Sequence, residues 1–505
     1  MFPNKINQIS DPIHGSIKIS QLEKNIISTQ VFNRMHHILQ NSTVYLTFPS
    51  NKTSRFSHSL GVMHLGGEIF KYSVANSGAI SESNTVVRDF LNHIGQYLQK
   101  LTRDPAYKRD VGDICSTSEE YNQLVKELSE SDGLNEPFYS VNSPKCITKE
   151  VYYWYVITYQ SVRCVALLHD LGHPPFSHIT EDALDNVYSQ LLSKPENTHL
   201  TEREKLFIEI VGHYKKSNKL HEVLGRTWSD HIFDLLIKEI NLGNSHLTKM
   251  KKVFYLNIKY ISLAIFDEVD DVFKAVHKIV DGVLDCDRLD YVSRDIIASG
   301  FNDGIIEYDR LISTMKLLKD GNKFVFCPSS SSTNTIEDFL RRRWKLYKYV
   351  INHHRVAKTD TLLRTVIEKL SIEYLSSCED EQEIIGYRIP NNISGLWKTV
   401  DAGINITAGD YINHLIQWDD AWLLACLRGE YFKRIRQGCD SDKLIVRLEE
   451  LLSNKKKFSS LYMGPVPDTN ISTYCLACEN YSPEQFPMVP VLERVMEPLF
   501  GTFVS

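Results

Sequence analysis

The residues best suited to chemistry lie in one short stretch, from Leu167 to His178. An apolar run there leads into an adjacent histidine and aspartate, His169 and Asp170, which are followed by His173 and His178. Neutral imidazole and carboxylate groups are both good ligands for divalent ions such as Zn²⁺, Fe²⁺ and Mn²⁺. The stretch therefore aims several polar groups at one place and predicts a metal site.

An adjacent histidine and aspartate can hold one ion only under a geometric condition. Neighbouring side chains on a helix point about 100° apart, so the pair must lie where a helix ends. Gly172 and the Pro174–Pro175 pair predict that ending directly after the doublet. The same residues also fit a helix C-terminus whose dipole favours histidines and whose carboxylate is solvated.

Two further stretches favour the metal site. Upstream, Arg55 to Val62 places His58 near the start of a helix whose apolar spacing indicates burial. Downstream, Asp287, Tyr291 and Asp295 recur every fourth residue and so share one helix face. Each stretch alone also fits an ordinary buried or charged helix. Together the three stretches supply four candidate ligands: His58, His169, Asp170 and Asp287.

The elements that must position these residues are mostly helices. Residues 1–20, with alternating isoleucines around Gly15, predict a short hairpin, and Gln21 to Gln40 predicts a helix. Lys323 to Cys327 predicts a strand, and Ile336 to Leu370 a long helix. The spacing therefore predicts a mainly α protein with small β elements.

Length and composition bound the class of protein. The 505 residues are too many for one ordinary core, so a large domain with an appended one is expected. Apolar residues make up 42% and charged residues 24%, as in soluble globular proteins. A net charge of −6 argues against a protein that coats nucleic acid. We see no targeting or membrane-spanning pattern and expect a soluble, cytoplasmic protein.

The stretches resemble, in order, the motifs of the HD-domain metal-dependent phosphohydrolases. Flanking residues are similar to one branch, the deoxynucleoside triphosphate triphosphohydrolases, which includes the SAM- and HD-domain enzyme and bacterial dGTPases. The similarity rests on Asp11–Gly15, on Phe48–Pro49 before Arg-Phe-x-His-Ser-Leu-Gly-Val, and on Asp-x-Asp-Arg-x-Asp-Tyr from Asp285. It covers roughly residues 7–70, 150–300 and, more loosely, 335–460.

The resemblance implies a fold and a division of the chain. The fold is an HD-domain helical core with small β-hairpin elements and an appended C-terminal helical region. The expected segments are the N-terminal hairpin with the first core helices, an inserted helical or lid segment, the HD-domain core and the C-terminal region, at residues 1–72, 73–150, 151–325 and 326–505.

The resemblance also implies roles for individual residues. The four ligands would hold a divalent ion, for which Fe, Mn, Zn and Mg all remain open, and a second Mg²⁺ could arrive with the nucleotide. His178 would be the general acid, His173 and His221 would contact phosphates, and Glu222 would orient a histidine. The substrate contacts would be Gln40, Arg55, Arg288, Tyr291, Asp295, Asn352 and His353. Arg310 and Arg355 match basic positions of the family's regulatory nucleotide site.

Hydrolysis of deoxynucleoside triphosphates to a deoxynucleoside and inorganic triphosphate is the expected reaction. The resemblance implies a homo-oligomer, whether dimer, tetramer or hexamer, a regulatory nucleotide, and a role in controlling the dNTP pool or in defence against phage.

Two alternatives stay open. The first is a phosphodiesterase or nuclease acting on nucleic acid or a cyclic nucleotide, because the metal cluster alone suits any phosphoester. A single strand would need a basic, aromatic-lined groove. The second is a non-catalytic nucleotide sensor that signals through residues 73–150.

Overall fold

The structure is a computed structural model, and it describes most of the chain. The described residues are 6–78, 84–130, 136–195, 198–215, 219–302, 304, 306–377, 389–404, 415–438, 443–453 and 455. Much of the predicted C-terminal region, including residues 456–505, lies outside them. The described part is mainly helical with two small antiparallel hairpins, so the predicted fold class is confirmed.

The helices are numbered in chain order. In order they are α1 (Gln21–Ile27), α2 (Gln30–Asn33), α3 (Arg55–Gly78), α4 (Asn84–Leu101), α5 (Pro105–Gly112), α6 (Ser118–Glu130), α7 (Pro137–Asn142), α8 (Lys149–Leu168), α9 (His178–Leu192), α10 (Glu202–Lys215), α11 (Leu220–Glu239), α12 (Ser245–Phe266), α13 (Asp271–His277), α14 (Cys286–Ala298), α15 (Tyr308–Ile312), α16 (Thr333–Leu346), α17 (His354–Ser376), α18 (Gly395–Ile404), α19 (Asp420–Arg436) and α20 (Lys443–Ser453).

The first hairpin pairs β1 (Asn7–Asp11) with β2 (Gly15–Ile19), as the alternating isoleucines predicted. Its turn is stabilised by Asp11, whose Oδ1 accepts the backbone N–H groups of Ile13 and His14, each at 2.9 Å. Gly15 has a φ of +69°, a conformation that glycine adopts without strain. The second hairpin pairs β3 (Met315–Asp320) with β4 (Lys323–Pro328), which contains the predicted strand.

The predicted helix from Gln21 to Gln40 is instead broken into α1, α2 and a 3₁₀ turn over Arg34–His37. The reason is a second N-cap inside the stretch, because the Thr29 hydroxyl accepts the backbone N–H of Phe32. The Asn33 side chain also donates to the carbonyls of Ile27 and Thr29, and so bridges the end of α1 and the start of α2.

The predicted helix from Ile336 to Leu370 is interrupted as well. A π-helical turn, Tyr347–Ile351, follows α16, and the chain restarts at α17 after an extended residue, His353. The His353 ring accepts the N–H of Arg355 and so caps the new helix.

Two long helices form the centre of the fold. α3 packs along α8, and α14 packs against α3 on another side. α8 is buried around nearly its whole circumference, which explains why its sequence is apolar without a clear amphipathic stripe. Phe90 of α4, Leu124 of α6 and Phe138 of α7, all within residues 73–150, join the same hydrophobic core. Among the described residues, none of the helices combines the length and apolarity that crossing a bilayer requires.

Candidate metal centre and histidine cluster

The end of α8 presents the histidine–aspartate doublet. The helix ends at Leu168, and the ring of His169 turns back so that Nδ1 donates to the Ala166 carbonyl at 2.7 Å. This bond leaves the other ring nitrogen, Nε2, as the free lone pair. Gly172 lies against α11 so closely that a Cβ there would be 2.1 Å from the His221 carbonyl oxygen. Only glycine fits at this crossing, which fixes where the turn after the doublet can run.

The four predicted ligands meet at one point. His58 Nε2 lies 2.9 Å from Asp287 Oδ1, and His169 Nε2 lies 3.6 Å from the same oxygen. Asp170 joins them, since its Oδ2 is 3.6 Å from His58 Nε2 and its Oδ1 is 3.4 Å from His169 Nε2. His169 Nε2 is buried and has no hydrogen-bond partner among the described residues. A buried, unpartnered imidazole nitrogen facing two carboxylates fits a divalent metal ion.

A second layer of side chains fixes the tautomer of His58. Its Nδ1 donates to Asp290 Oδ2 at 2.8 Å, so Nε2 is the nitrogen that would offer its lone pair to a bound ion. Asp290 is held in turn by Arg294, whose Nε is 2.8 Å away, and by His14, whose Nε2 donates at 2.7 Å. Arg294 also donates to Asp11 Oδ2 at 2.9 Å, which ties the N-terminal hairpin to the metal ligands.

The electrostatics of the cluster favour a positive charge at its centre. Burial works to lower the pKa of His58, but its hydrogen bonds to Asp287 and Asp290 and the charges of both carboxylates raise that pKa to about 10. Burial likewise opposes ionisation of Asp287, yet His169 and His58 hold its pKa below the usual range. A divalent ion bound by these groups would supply that positive charge.

Three histidines and a glutamate form a second cluster beside the first. Glu181 accepts from His178 Nδ1 at 3.0 Å and from His221 Nδ1 at 2.8 Å. The rings of His173 and His221 stack with centroids 4.1 Å apart, and His173 Nε2 lies 3.2 Å from Asp170 Oδ1. Burial opposes ionisation of Glu181, but its bonds to His178 and His221 hold its pKa well below the usual range. Asp170 is therefore shared between the two clusters.

The turn that carries His178 is strained. Phe176 and Ser177 have φ values of +56° and +51°, a region that residues with a Cβ rarely adopt. Neighbouring groups hold it in place, since Arg55 Nε donates to Ser177 Oγ at 2.9 Å and Ser42 Oγ donates to the Phe176 carbonyl at 2.9 Å. The Pro174–Pro175 pair thus introduces a turn whose shape depends on tertiary contacts.

The sequence of this region matches a known family. The family model described as "HD domain" matches residues 159–294, a range that contains His169, Asp170 and Asp287. The chain therefore contains a match to the HD domain over residues 159–294. His58, the remaining histidine of the ligand cluster, is brought to this range by the packing of α3 on α8.

Relatives are similar over most of the chain at low identity. An uncharacterized protein of Methanocaldococcus jannaschii is 23% identical over 390 residues, which are 76% of this chain and 55% of that protein. The deoxynucleoside triphosphate triphosphohydrolase SAMHD1 of Gallus gallus is 24% identical over 347 residues, which are 68% of this chain and 42% of that protein. The chain thus spans about half the length of these curated relatives.

One solved structure is also similar, with a TM-score of 0.46. It is the crystal structure of a hypothetical protein from Aquifex aeolicus, which is 20% identical in sequence. The comparison covers 95% of this chain and 84% of that one.

Buried acceptor atoms lie near the candidate metal centre. The Gln40 side-chain oxygen and both carboxylate oxygens of Asp295 are buried, and none of them accepts a well-formed hydrogen bond from the described residues. Burial raises the pKa of Asp295 to about 6 and outweighs Asn41 and His58, which lie close enough for both to lower that pKa. Gln40 N donates to the Thr53 carbonyl at 2.9 Å, which places it alongside the segment leading to Arg55. Buried acceptors without donors are the expected signature of a site that binds a polar ligand.

The residues predicted to contact phosphate and sugar differ in burial and in their hydrogen-bond partners. Arg55 is buried and donates to Asp170, so it lies within the ligand cluster. Arg288 is partly exposed and donates to Asp285, the residue that caps α14. Tyr291 lies on the same helix, with its hydroxyl 3.4 Å from that of Tyr347 in the π-helical turn.

The remaining predicted contacts are placed at the break between α16 and α17. Asn352 and His353 are half-buried there, with the His353 ring 5.6 Å from that of Phe48. Arg355 is exposed at the start of α17. Arg310 is also exposed and lies 4.0 Å from Glu307. Among the described residues, neither arginine forms a hydrogen bond or ion pair with the metal or histidine cluster.

The structure does not bring Glu222 to the histidines. Its side chain is 42% exposed, and the described contact is with Lys219 at 3.7 Å. The reason is helical geometry, because consecutive residues of α11 point about 100° apart and His221 takes the inward position. Glu181 instead contacts both His178 and His221. The sequence reasoning missed Glu181, although its position one helical turn after His178 was an available signal.

Proposed function

We propose that this HD domain hydrolyses deoxynucleoside triphosphates to a deoxynucleoside and inorganic triphosphate, using a divalent ion held by His58, His169, Asp170 and Asp287. The observation that carries the proposal is that the candidate metal cluster and the histidine cluster share Asp170. The buried acceptor oxygens of Gln40 and Asp295 support it further. Similarity to relatives named deoxynucleoside triphosphate triphosphohydrolase supports the same substrate.

The bound ion would supply a nucleophilic water of lowered pKa and neutralise charge on the phosphate. Residues of the chain do the remaining work. His178 has a side chain that is 60% exposed, and Glu181 fixes its Nδ1, so its Nε2 can deliver a proton to the leaving 5′ oxygen. His173 and His221 stack next to it and contact phosphate oxygens. Glu181 takes the orienting role that the sequence assigned to Glu222.

Binding and orientation fall to residues around the proposed substrate site. Arg55, buried beside Asp170, neutralises phosphate charge, and Arg288 adds a second guanidinium at the partly exposed side. Asp295 accepts from a sugar hydroxyl, and Gln40 contacts the sugar. Tyr291 packs on the nucleoside, and Asn352 with His353 lines the outer part of that site.

Turnover of each dNTP and rNTP with Mn²⁺, Mg²⁺, Zn²⁺ or Fe²⁺ tests the proposal when products are separated by chromatography. We expect a deoxynucleoside and inorganic triphosphate from wild type, and loss of both with Asp170→Ala. Monophosphate and pyrophosphate as products would contradict the proposed leaving group, because the bond between the α-phosphorus and the 5′ oxygen would then remain intact. Nucleotide binding without turnover in any metal would favour the sensor alternative.

A second candidate function has its own supporting observation. Trp344, Tyr347 and Tyr349 are exposed on α16 and the π-helical turn, and they alternate with basic residues. Lys348 lies 4.4 Å from the Trp344 ring and 5.3 Å from the Tyr349 ring. Exposed aromatic rings among basic groups suit single-stranded nucleic acid. Digestion of end-labelled oligonucleotides, absent in Asp170→Ala, would support a nuclease.

We further propose a homo-oligomer regulated by a nucleotide at Arg310 and Arg355, and a role in lowering cellular dNTP levels. Native mass spectrometry with and without each nucleotide measures the oligomer. Arg355→Ala should remove any nucleotide-dependent change in subunit number. Unchanged dNTP pools in cells expressing the protein would contradict the proposed role.

A further inference from the structure

The N-terminus of α19 lies against the candidate site, although it is far from it in sequence. Asp420, the first residue of this helix, is only 6% exposed. Its Oδ2 accepts the backbone N–H of Leu39 at 2.9 Å, and its Oδ1 accepts the backbone N–H of Phe176 at 2.7 Å. One carboxylate therefore satisfies two backbone donors that no helix or strand would otherwise pair.

Both donors belong to segments that carry site residues. Leu39 directly precedes Gln40, whose side-chain oxygen is buried without a hydrogen-bond partner among the described residues. Phe176 precedes Ser177 and His178, within the turn whose backbone is strained. The Phe176 residue is held from both sides, because Ser42 donates to its carbonyl while Asp420 accepts from its N–H.

A buried arginine ties the same part of the chain to the metal doublet. Arg34 Nη1 donates to the Trp418 carbonyl at 2.9 Å, and its Nη2 donates to the Leu171 carbonyl at 2.6 Å. The guanidinium lies 5.1 Å from the Trp228 ring centroid and 5.4 Å from that of Trp418. The segment before α19 is thus anchored to the residue that follows Asp170.

We propose that Asp420 is a positioning residue that holds the Gln40 segment and the His178 turn in fixed relation to each other. A strained turn persists only where its surroundings determine it, and the Asp420 carboxylate supplies one of the bonds that do so here. Without that carboxylate, two buried N–H groups lose their acceptor, and both segments open more often. The structural part of the proposal is independent of the reaction, whereas its kinetic part rests on the proposed function.

Asp420→Ala is the test, and Asp419→Ala is a matched control. Asp419 caps the same helix by accepting from Trp422 N at 2.8 Å, whereas the N–H groups of Leu39 and Phe176 donate to Asp420. Replacing either residue perturbs the start of α19, and only the Asp420 change releases the site segments. Asp420→Asn, which keeps the shape and one acceptor oxygen, serves if Asp420→Ala does not fold.

Hydrogen exchange read by mass spectrometry is the first measurement. We expect exchange in peptides covering Leu39 and Phe176 to be roughly tenfold faster in Asp420→Ala than in Asp419→Ala, because two buried donors have lost their acceptor. Equal exchange in the two variants at both segments would overturn the proposal. This readout stands even if the wild-type protein hydrolyses no dNTP.

If the wild-type protein hydrolyses dNTPs, kcat and Mn²⁺ affinity are measured next for both variants. Asp420→Ala should lower kcat by about tenfold or more while Asp419→Ala stays within about twofold of wild type. Mn²⁺ affinity should be preserved in both variants, because Asp290 and the Ala166 carbonyl orient the ligands His58 and His169. A parallel loss of Mn²⁺ affinity and kcat in Asp420→Ala would show a general loss of structure and overturn the positioning role.

Discussion

Gly61→Ala should weaken metal binding even though residue 61 is not a metal ligand. Gly61 lies on α3 one turn after His58, facing α14. A Cβ at this position would lie 1.8 Å from Asp290 Oδ1 and 2.6 Å from Arg294 Nη2. Ordinary contacts begin near 3.4 Å, so the methyl group requires about 1.6 Å of displacement from Asp290 (3.4 − 1.8).

The free-energy costs of the two possible displacements indicate whether Asp290 or the start of α3 moves. Pushing Asp290 away from Arg294 breaks a buried ion pair, which costs about 3–5 kcal/mol. Shifting the start of α3 costs about 1–3 kcal/mol as overpacking. The helix shift is the smaller cost, so we expect His58 to move with α3 relative to Asp290 and Asp287. Losing the oriented histidine should weaken metal affinity by roughly 10–100-fold.

Isothermal titration of the metal-free protein with Mn²⁺ measures the effect, and thermal unfolding measures the change in stability. Gly66→Ala on the same helix is the control. Its Cβ would lie 3.2 Å from Ala166 Cβ, a misfit of a few tenths of an ångström, and alanine favours a helix by about 1 kcal/mol over glycine. Wild-type Mn²⁺ affinity in a folded Gly61→Ala protein would refute the reasoning.

Three other changes should have measurable effects. Glu181→Gln should lower kcat by roughly 10²-fold because His178 loses its carboxylate partner, whereas Glu222→Gln should stay within about twofold; the reverse order would restore Glu222 as the orienting residue. Burial raises the pKa of Asp360 to about 6, above its unfolded value of about 3.9. The folded state therefore binds the extra proton, so this group's contribution to stability falls by about 2 kcal/mol as pH rises from about 4 to 6. Asp360→Asn should remove that slope from denaturant unfolding measured across this range, and an unchanged slope would contradict the shift. Finally, Mn²⁺ at 100 times its Kd should raise the free energy of unfolding by about 2.7 kcal/mol, and Asp287→Asn should abolish the rise seen in thermal melts.

Much of the site and of the fold could be predicted from local sequence patterns. The apolar run before His169, with the glycine and prolines after it, was enough to predict a helix end at the doublet, and α8 does end at Leu168. The alternation around Gly15 was enough for the first hairpin. In both cases the signal lies within a few residues and follows from backbone preferences alone.

Contacts between distant segments explain what local patterns did not reveal. Glu181 and Glu222 both follow a histidine on a helix, and only the packing of α9 and α11 decides which carboxylate faces inward. Asp420 touches Phe176 across 244 positions of sequence, so no local pattern signals the contact. The break near His353 depends on a side-chain cap within a stretch whose apolar spacing stays helical.

The chain of contacts from Asp11 through Arg294 and Asp290 to His58 bears on how the protein should be divided for experiments. The family match begins at residue 159, yet this chain of contacts starts in β1 and its histidine lies on α3. A fragment cut at the family boundary would remove Asp11, His14 and His58, so Arg294 would lose one partner, Asp290 would lose two, and the proposed ion would lose one ligand. A fragment designed to test metal binding should therefore include the N-terminal hairpin and α3.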